Sequence, residues 1–422
     1  MKKLLVIVYY WPPSGGAGVQ RWLKFVKYLP QFGWQPTVIT TKDGDYPVID
    51  ESLFEEVPTE VKVIQTKTPT FGKLFKRLIG KNSEIPYGSL ESNSTDSLFK
   101  KLSIWIRLNL VIPDARKIWN KFAYEAAREE LLTNKYNAVI TSGPPHSTHL
   151  VGLKLKKKYN IKWIADFRDP WTEIAFMKNI KRWKSTDFID RLLERKVINN
   201  CDILLATAQK IIDDFGNKNN MRLLTNGFDE QDFENVKKRE NNIFFKINHF
   251  GLLTQGTDLS NIFEVMRKLE KKKIDKIQFN FWGNISKDVV SSVKEIGFEN
   301  KFKFHSYLSH KEMLSELVNS SMLLLVLNNV RKGIIPLKLF EYMGSNTAIL
   351  GIGDSASEPA VIIEETKSGK MFDYDKVDDI ADFIETNYKY WKAGKTFILS
   401  KEIKKYSKIN QTKQLAEILE KM

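Results

Sequence analysis

This sequence predicts an α/β protein of two domains, each built on a parallel sheet. Three observations carry the prediction. The chain opens as strand, helix, strand, with the unbroken apolar run Lys3–Tyr10, a helical pattern after Gly18 and the strand-like Gln35–Thr40. A run apolar at every position suits a strand covered on both faces, as parallel strands are, and the β–α–β order is the unit of a doubly wound domain. Similar apolar runs recur in the second half, at Ile277–Phe281, Phe302–Phe304, Met322–Leu327 and Thr347–Leu350. Finally, 422 residues are enough for two separate cores.

The totals narrow the function classes. Hydrophobic residues make up 42% and charged residues 28%, the balance of an ordinary globular protein. A single cysteine, Cys201, excludes an intramolecular disulfide framework and fits a reducing compartment. Five histidines without cysteine partners give no recognisable metal spacing. The net charge of +15 calls for an anionic partner: nucleic acid, a membrane surface or a phosphorylated substrate. Aromatics interleaved with a basic sheet face, as base stacking requires, are not evident, so nucleic acid is not expected. No run reaches the roughly 20 apolar residues of a membrane span. Lys2-Lys3 followed by Leu4–Trp11 mimics a short signal peptide, but a buried first strand entering a glycine loop is the expectation.

The first strand runs into Pro12-Pro13-Ser14-Gly15-Gly16-Ala17-Gly18. The helix beyond carries Val19, Trp22, Leu23, Val26 and Leu29 at helical spacing, with Arg21, Lys24 and Lys27 between them, and Gly33 ends it. Arg21 stands where a dinucleotide fingerprint has its third glycine, and the loop is too long, so NAD binding is a weak reading. Glycines here let a ligand approach the backbone, or merely form a tight turn.

Residues 66–120 break the alternation. Leu74, Phe75, Leu78 and Ile79 sit among Lys73, Lys76, Arg77 and Lys81. Leu98, Phe99, Leu102, Ile104, Trp105 and Ile106 sit among Lys100, Lys101 and Arg107. A basic amphipathic helix carrying Trp fits a membrane surface, and the same stripes fit packing on the first domain.

After a helix at Lys121–Leu132, the strand Tyr136–Thr141 leads to His146, at the carboxyl edge where α/β sheets bind ligands. His146 is a candidate to hydrogen-bond a ligand hydroxyl or, alternatively, to cap the next helix. The strand Lys162–Ala165 ends in Asp166-Phe167-Arg168-Asp169-Pro170-Trp171. Three charges at a strand end are costly unless paired or used, so Arg168 and Asp169 are either site residues or a structural pair. Cys201–Thr207 is another strand, and the polar stretch 235–242 reads as a linker.

The second domain opens at Ile247. Its most informative stretch is Gly333–Gly344. Pro336 suits a first helical turn. Lys338 and Glu341, three apart, share one helix face. A helix N-terminus attracts phosphate, Lys338 adds a cation for a diphosphate, and Glu341 is placed to accept from a ribose diol. The alternative is a solvated Lys–Glu pair. Further on, Gly351–Glu358 can offer N–H groups and the Glu358 carboxylate to a ligand.

Pro-Leu-Lys-Leu-Phe-Glu-Tyr-Met at 336–343 resembles the donor-site helix of glycosyltransferase family 4, in its bacterial surface-polysaccharide branch. Asp166–Trp171 and Asn226-Gly227-Phe228-Asp229 with Phe233 are similar too, so the resemblance spans most of the chain. It implies the GT-B fold, with two Rossmann-like domains facing across a cleft. Residues 1–235 would bind the acceptor and carry the insertion 66–120. Residues 243–396 would bind the nucleotide-sugar, and 397–422 would cross back onto the first domain. It also implies retaining, metal-independent transfer of a sugar from a nucleotide-sugar, UDP-linked before GDP-linked, with no cofactor, to a saccharide or lipid-linked acceptor. The implied place is cytoplasmic, at the anionic inner face of the plasma membrane. The implied catalytic residues are Arg168, Asp169 and His146. The donor site would comprise Gly15, Gly16, Thr254, Pro336, Lys338, Leu339, Glu341 and Glu358. The chain departs from the family at Thr254 and Gln255-Gly256, where cations are usual, and at Gly333, where the first of two glutamates is usual. Arg168 stands about where many members carry a histidine. A nucleotide-sugar epimerase or a catalytically degenerate binding protein are the alternatives.

Overall fold

The computed structural model describes residues 1–46, 48–68, 98–173, 182–239, 243–253, 259–327, 334–395, 397 and 400–422, with backbone only at 17 and 98–103. Residues 69–97 of the expected insertion, Thr254 and Gly333 lie outside them. The chain forms two compact units, one of Met1–Thr225 with Gln411–Met422, the other of Asn226–Asn410.

The first unit holds β1 (Lys2–Ile7), α1 (Ala17–Tyr28), β2 (Trp34–Thr41), β3 (Lys62–Thr66), α2 (Leu98–Asn109), α3 (Trp119–Thr133), β4 (Ala138–Gly143), α4 (Thr148–Tyr159), β5 (Lys162–Phe167), α5 (Lys184–Ile198), β6 (Ile203–Ala206), α6 (Gln209–Asp214) and β7 (Met221–Leu223). Its seven parallel strands lie in the order β3-β2-β1-β4-β5-β6-β7. The central strands are buried residue after residue, as their unbroken apolar sequences require. The core joins Leu4, Val6, Trp22, Val26, Val38 and Ile140 with Leu415, Ala416 and Leu419 from the end of the chain.

The second unit holds α7 (Gln231–Glu234), β8 (Phe245–Phe250), α8 (Ser260–Lys271), β9 (Ile277–Trp282), α9 (Lys287–Glu295), β10 (Phe302–His305), α10 (His310–Val318), β11 (Met322–Val326), α11 (Leu337–Gly344), β12 (Ile349–Ile352), α12 (Glu358–Glu365), β13 (Gly369–Phe372) and α13 (Val377–Lys392). Its six strands run in the order β10-β9-β8-β11-β12-β13, all parallel where paired. Ile247, Phe279, Met322 and Leu324 of the sheet pack with Ile262, Val265, Ile380 and Ile384 of the helices. The last helix, α14 (Lys408–Glu420), starts in this unit and belongs to the first from Gln411 onward.

The division between the units falls at Thr225, earlier than the linker at 235–242. The Phe228 N–H donates to the Tyr406 carbonyl at 3.1 Å and its carbonyl accepts from Lys408 N at 2.7 Å, so Asn226–Phe228 and residues 400–410 close the second unit.

Strand order reverses between β1 and β4 in one sheet and between β8 and β11 in the other. In open parallel sheets the carboxyl ends at such a reversal leave a crevice for ligands, because the two connections leave on opposite faces.

Candidate functional site

At the carboxyl edge of the first sheet, Asp166 sits at the end of β5, fully buried. Arg21 of α1, also fully buried, meets it at 2.9 Å. Trp22 Nε1 and Ser142 Oγ each donate to Asp166 Oδ2 at 2.7 Å, and Arg21 Nη1 donates to the Thr225 carbonyl at 2.9 Å. The carboxylate on β5 is thus held by donors from α1 and β4. A buried ion pair satisfied in this way fixes the relative placement of the elements it joins.

Arg168, two residues on, is bound by backbone carbonyls instead. Its guanidinium donates to the carbonyls of Gly18 and Pro144, and its Nε to Gly143 O at 3.3 Å. Its own N–H also bonds Gly143 O at 3.0 Å, and its carbonyl accepts from Thr207 Oγ1 at 2.7 Å. Burial lowers its pKa, while Asp169 and then Asp166 act against that shift. Arg168 is therefore a clamp on the β1–α1 and β4–α4 connections. The clamp explains Gly18, where a Cβ would lie 2.9 Å from Arg168 Nη1. Asp169 is half-buried beside it.

The glycine loop divides by role. Gly15 donates to Val48 O at 2.9 Å, and a Cβ there would press on Asp50 at 3.1 Å. Gly16, with φ 86°, has open space where a side chain would stand. Of the two glycines read as donor-binding, Gly15 packs against its own chain and Gly16 alone faces open space.

His146 does not cap α4. The N-cap is Ser147, with no side-chain cap bond, and Asp114 anchors it by accepting from Ser147 N and Ser147 Oγ, each at 2.8 Å. The His146 ring stacks on Trp171 with centroids 5.2 Å apart. Burial, then His149 and Arg168, hold its pKa well below the usual value, so it is a neutral imidazole. His149, which the sequence reading passed over, is fully buried. It is stacked 4.5 Å from Phe167, with Nδ1 2.9 Å from Thr141 Oγ1 and a pKa lowered to about 3 by burial and then by Arg168. His146 Nδ1 and His149 Nε2 have no hydrogen-bond partner among the described residues. Both crowd Gly143, where a Cβ would lie 3.0 and 2.7 Å from them.

In the second unit the helix start expected at Pro336 is observed: Pro336 is the N-cap of α11. Lys338 and Glu341 are half-buried, and each is aimed at a histidine. Lys338 Nζ is 3.5 Å from Nε2 of His249, on β8, whose Nδ1 is 3.0 Å from Leu324 O of β11. Burial, then Lys338, hold the His249 pKa well below the usual value. Since a carbonyl only accepts, Nδ1 carries the proton and Nε2 offers its lone pair to the ammonium. Glu341 Oε1 is 3.4 Å from Nε2 of His310, at the start of α10. Neither side chain is fully solvated. The reversal point between β8 and β11 lies under Lys338.

Leu339, read as donor-binding, is core: its side chain is fully buried and its N–H bonds Pro336 O at 3.1 Å. Helical geometry turns it inward with Phe340, Tyr342 and Met343. Glu358 opens α12, half-buried, next to Ser357, whose buried Oγ has no partner among the described residues. No metal-holding cluster of three or more His, Cys, Asp or Glu occurs among the described residues, and no described helix is long and apolar enough to cross a membrane.

No family model matches the sequence, and no curated protein matches it. Solved structures do. Sucrose-phosphate synthase from Thermosynechococcus elongatus is 14% identical, with 100% of this chain and 99% of that chain covered and a TM-score of 0.64. TarM is 12% identical over 99% of both chains, with a TM-score of 0.60. The lipopolysaccharide outer core galactosyltransferase WaaB, in its apo form, is 13% identical over 99% of both chains, with a TM-score of 0.57. Together with the two parallel sheets, these likenesses show a two-domain α/β fold of the GT-B type.

Proposed function

We propose that this GT-B chain is a glycosyltransferase of the family-4 kind, moving a sugar from a nucleotide-sugar to a saccharide acceptor. The observation that carries the reading is the Lys338 ammonium, held by His249 at the start of α11 over the strand reversal of the second sheet. Breaking a sugar–phosphate bond builds negative charge on the leaving diphosphate. A fixed cation and the N–H dipoles of a helix start stabilise that charge where it develops, so the leaving group needs no metal ion in this scheme. Glu341 accepts from the ribose diol. Gly16 lets a ligand approach the loop after β1. Asp169 and the neutral His146 accept from hydroxyls, and Arg168 holds the loops that carry them. The acceptor oxygen attacks the face the phosphate leaves, assisted by a leaving-group oxygen, which retains configuration. A UDP-sugar is favoured over a GDP-sugar. A thermal-shift screen of UDP-, GDP- and ADP-sugars tests the reading: one class should raise the melting temperature, and no response to any would overturn it.

The acceptor we propose is lipid-linked, for surface polysaccharide, met at the inner face of the plasma membrane. Support comes from a face of the first unit. Trp105 and Ile106 of α2, Trp183, and Phe188, Ile189 and Leu192 of α5 are all exposed, and Trp105 meets Trp183 edge-on at 4.9 Å. Exposed Lys184, Arg195 and Lys196 flank them. Large exposed apolar side chains among cations suit an anionic bilayer, since each part of the bilayer interface finds a complement. Co-sedimentation with vesicles containing anionic lipid should exceed that with neutral vesicles and fall in the double variant Trp183→Ser, Phe188→Ser. Equal binding to both vesicle types would sink the electrostatic part.

A further inference from the structure

We infer that His249 is a positioning residue, a neutral hydrogen-bond acceptor that aims the Lys338 ammonium at the substrate diphosphate. The inference rests on the reading of Lys338 as the diphosphate cation. Three features of the geometry carry it. The ring is almost fully buried, 1% exposed, at the end of a central strand, so it has no freedom to turn. Its Nδ1 is tied at 3.0 Å to the Leu324 carbonyl of the neighbouring strand, which fixes the tautomer and leaves the Nε2 lone pair as acceptor. That lone pair meets Lys338 Nζ at 3.5 Å, across 89 residues of sequence.

The chemistry of the acceptor matters. A carboxylate in this place would cancel the charge of the lysine and compete with an incoming phosphate. An imidazole lone pair restrains the ammonium and leaves its charge intact. Leu324 and His249 lie on the two strands that flank the reversal point, so the sheet itself sets the direction of the lysine. Burial and the nearby ammonium both resist protonation of His249, so the acceptor state persists at neutral pH.

Two substitutions separate the two ring nitrogens. His249→Asn places an amide N–H near Nδ1, keeping the bond to Leu324 and removing the acceptor. His249→Gln can place its amide oxygen near Nε2. UDP, GDP and ADP are titrated in turn by calorimetry, with the matching nucleosides alongside, against wild type, both variants and Lys338→Ala. His249→Asn should weaken nucleoside diphosphate binding by about tenfold and leave nucleoside binding unmoved, while His249→Gln stays within about threefold of wild type. If the Asn and Gln variants behave alike, or both bind as wild type while Lys338→Ala does not, the inference is wrong and the diphosphate reading stands. If wild type binds none of the three diphosphates, the reading fails and takes the inference with it. Should His249→Asn not fold, nitrogen NMR of the five imidazoles gives the same answer. The His249 Nε2 resonance should be unprotonated and should move in Lys338→Ala; a protonated Nε2, or one that does not move, overturns the assignment.

Discussion

Asp166 and Arg21 form an ion pair, 2.9 Å across, in which neither residue has measurable contact with solvent. Their value to the site is in what they join, because α1 carries the glycine loop at its start and β5 carries Arg168 just beyond its end. Replacing Asp166 by Ala strands a buried guanidinium as well as the Trp22 and Ser142 donors. Unfolding should then become easier by roughly 3–5 kcal/mol. Urea denaturation measures this, and a loss below about 1 kcal/mol would mean that the pair relaxes or hydrates without consequence.

Arg168→Lys should separate stability from turnover. A lysine keeps the charge but cannot reach three carbonyls at once. The Gly18, Gly143 and Pro144 loops would loosen, and transfer should drop by about tenfold or more, since small misplacements of reacting groups are costly. Melting temperature should change far less than in Asp166→Ala. Full activity in the lysine variant would remove the clamp from the catalytic argument.

Lys338→Ala should cut turnover severely, whereas Glu341→Ala should chiefly weaken nucleotide binding. The ammonium acts on charge that grows in the transition state, and the carboxylate acts on a ribose present throughout. Steady-state kinetics with the donor identified by thermal shift distinguishes the two. Unchanged donor affinity in Glu341→Ala counts against its ribose role, and near-normal turnover in Lys338→Ala removes that residue from the diphosphate.

A methyl group at Gly143 has no room. Its carbon would stand 2.7 Å from His149 Nε2 and 3.3 Å from the His146 Cα, and backbone yields less readily than a side chain. Gly143→Ala should cost about 1–3 kcal/mol and disturb the His146 ring. Gly152→Ala, which would strike the Trp163 indole, is the control: it should destabilise the fold and leave the Km of folded protein unchanged.

Acid should unfold the protein early. The His149 pKa lies at about 3 when folded, against roughly 6.5 when unfolded, and those of His146 and His249 are displaced the same way. The unfolded state therefore takes up protons first as pH falls. Stability is fully present above about pH 6.5 and declines below it, by at most about 1.4 kcal/mol per pH unit for each such histidine. Denaturation midpoints at pH 7, 6 and 5 check this, above the range where most carboxylates titrate. A midpoint flat across those values would contradict it.

Much of the fold was legible because doubly covered strands announce themselves as unbroken apolar runs, and Leu4–Ile7, Val139–Thr141 and Met322–Leu325 do so. β3, with Lys62 and Gln65 exposed at the sheet edge, and the three-residue β7 carry no such signal and were missed. At the candidate site, the shared helix face of Lys338 and Glu341 was readable from helical spacing. Their partners His249 and His310 were not, since each comes from a distant element and only the sheet order brings it near. Leu339 shows the opposite error: lying between two polar candidate residues in sequence, it faces the core because a helix turns 100° per residue.

The core of the first unit includes Leu415, Ala416 and Leu419, from the far end of the chain. During synthesis, therefore, the amino-terminal half emerges from the ribosome long before the side chains that complete its interior. It must wait, with an apolar face uncovered, while the whole of the other unit is translated. That interval is where a nascent chain of this protein is most in need of a chaperone.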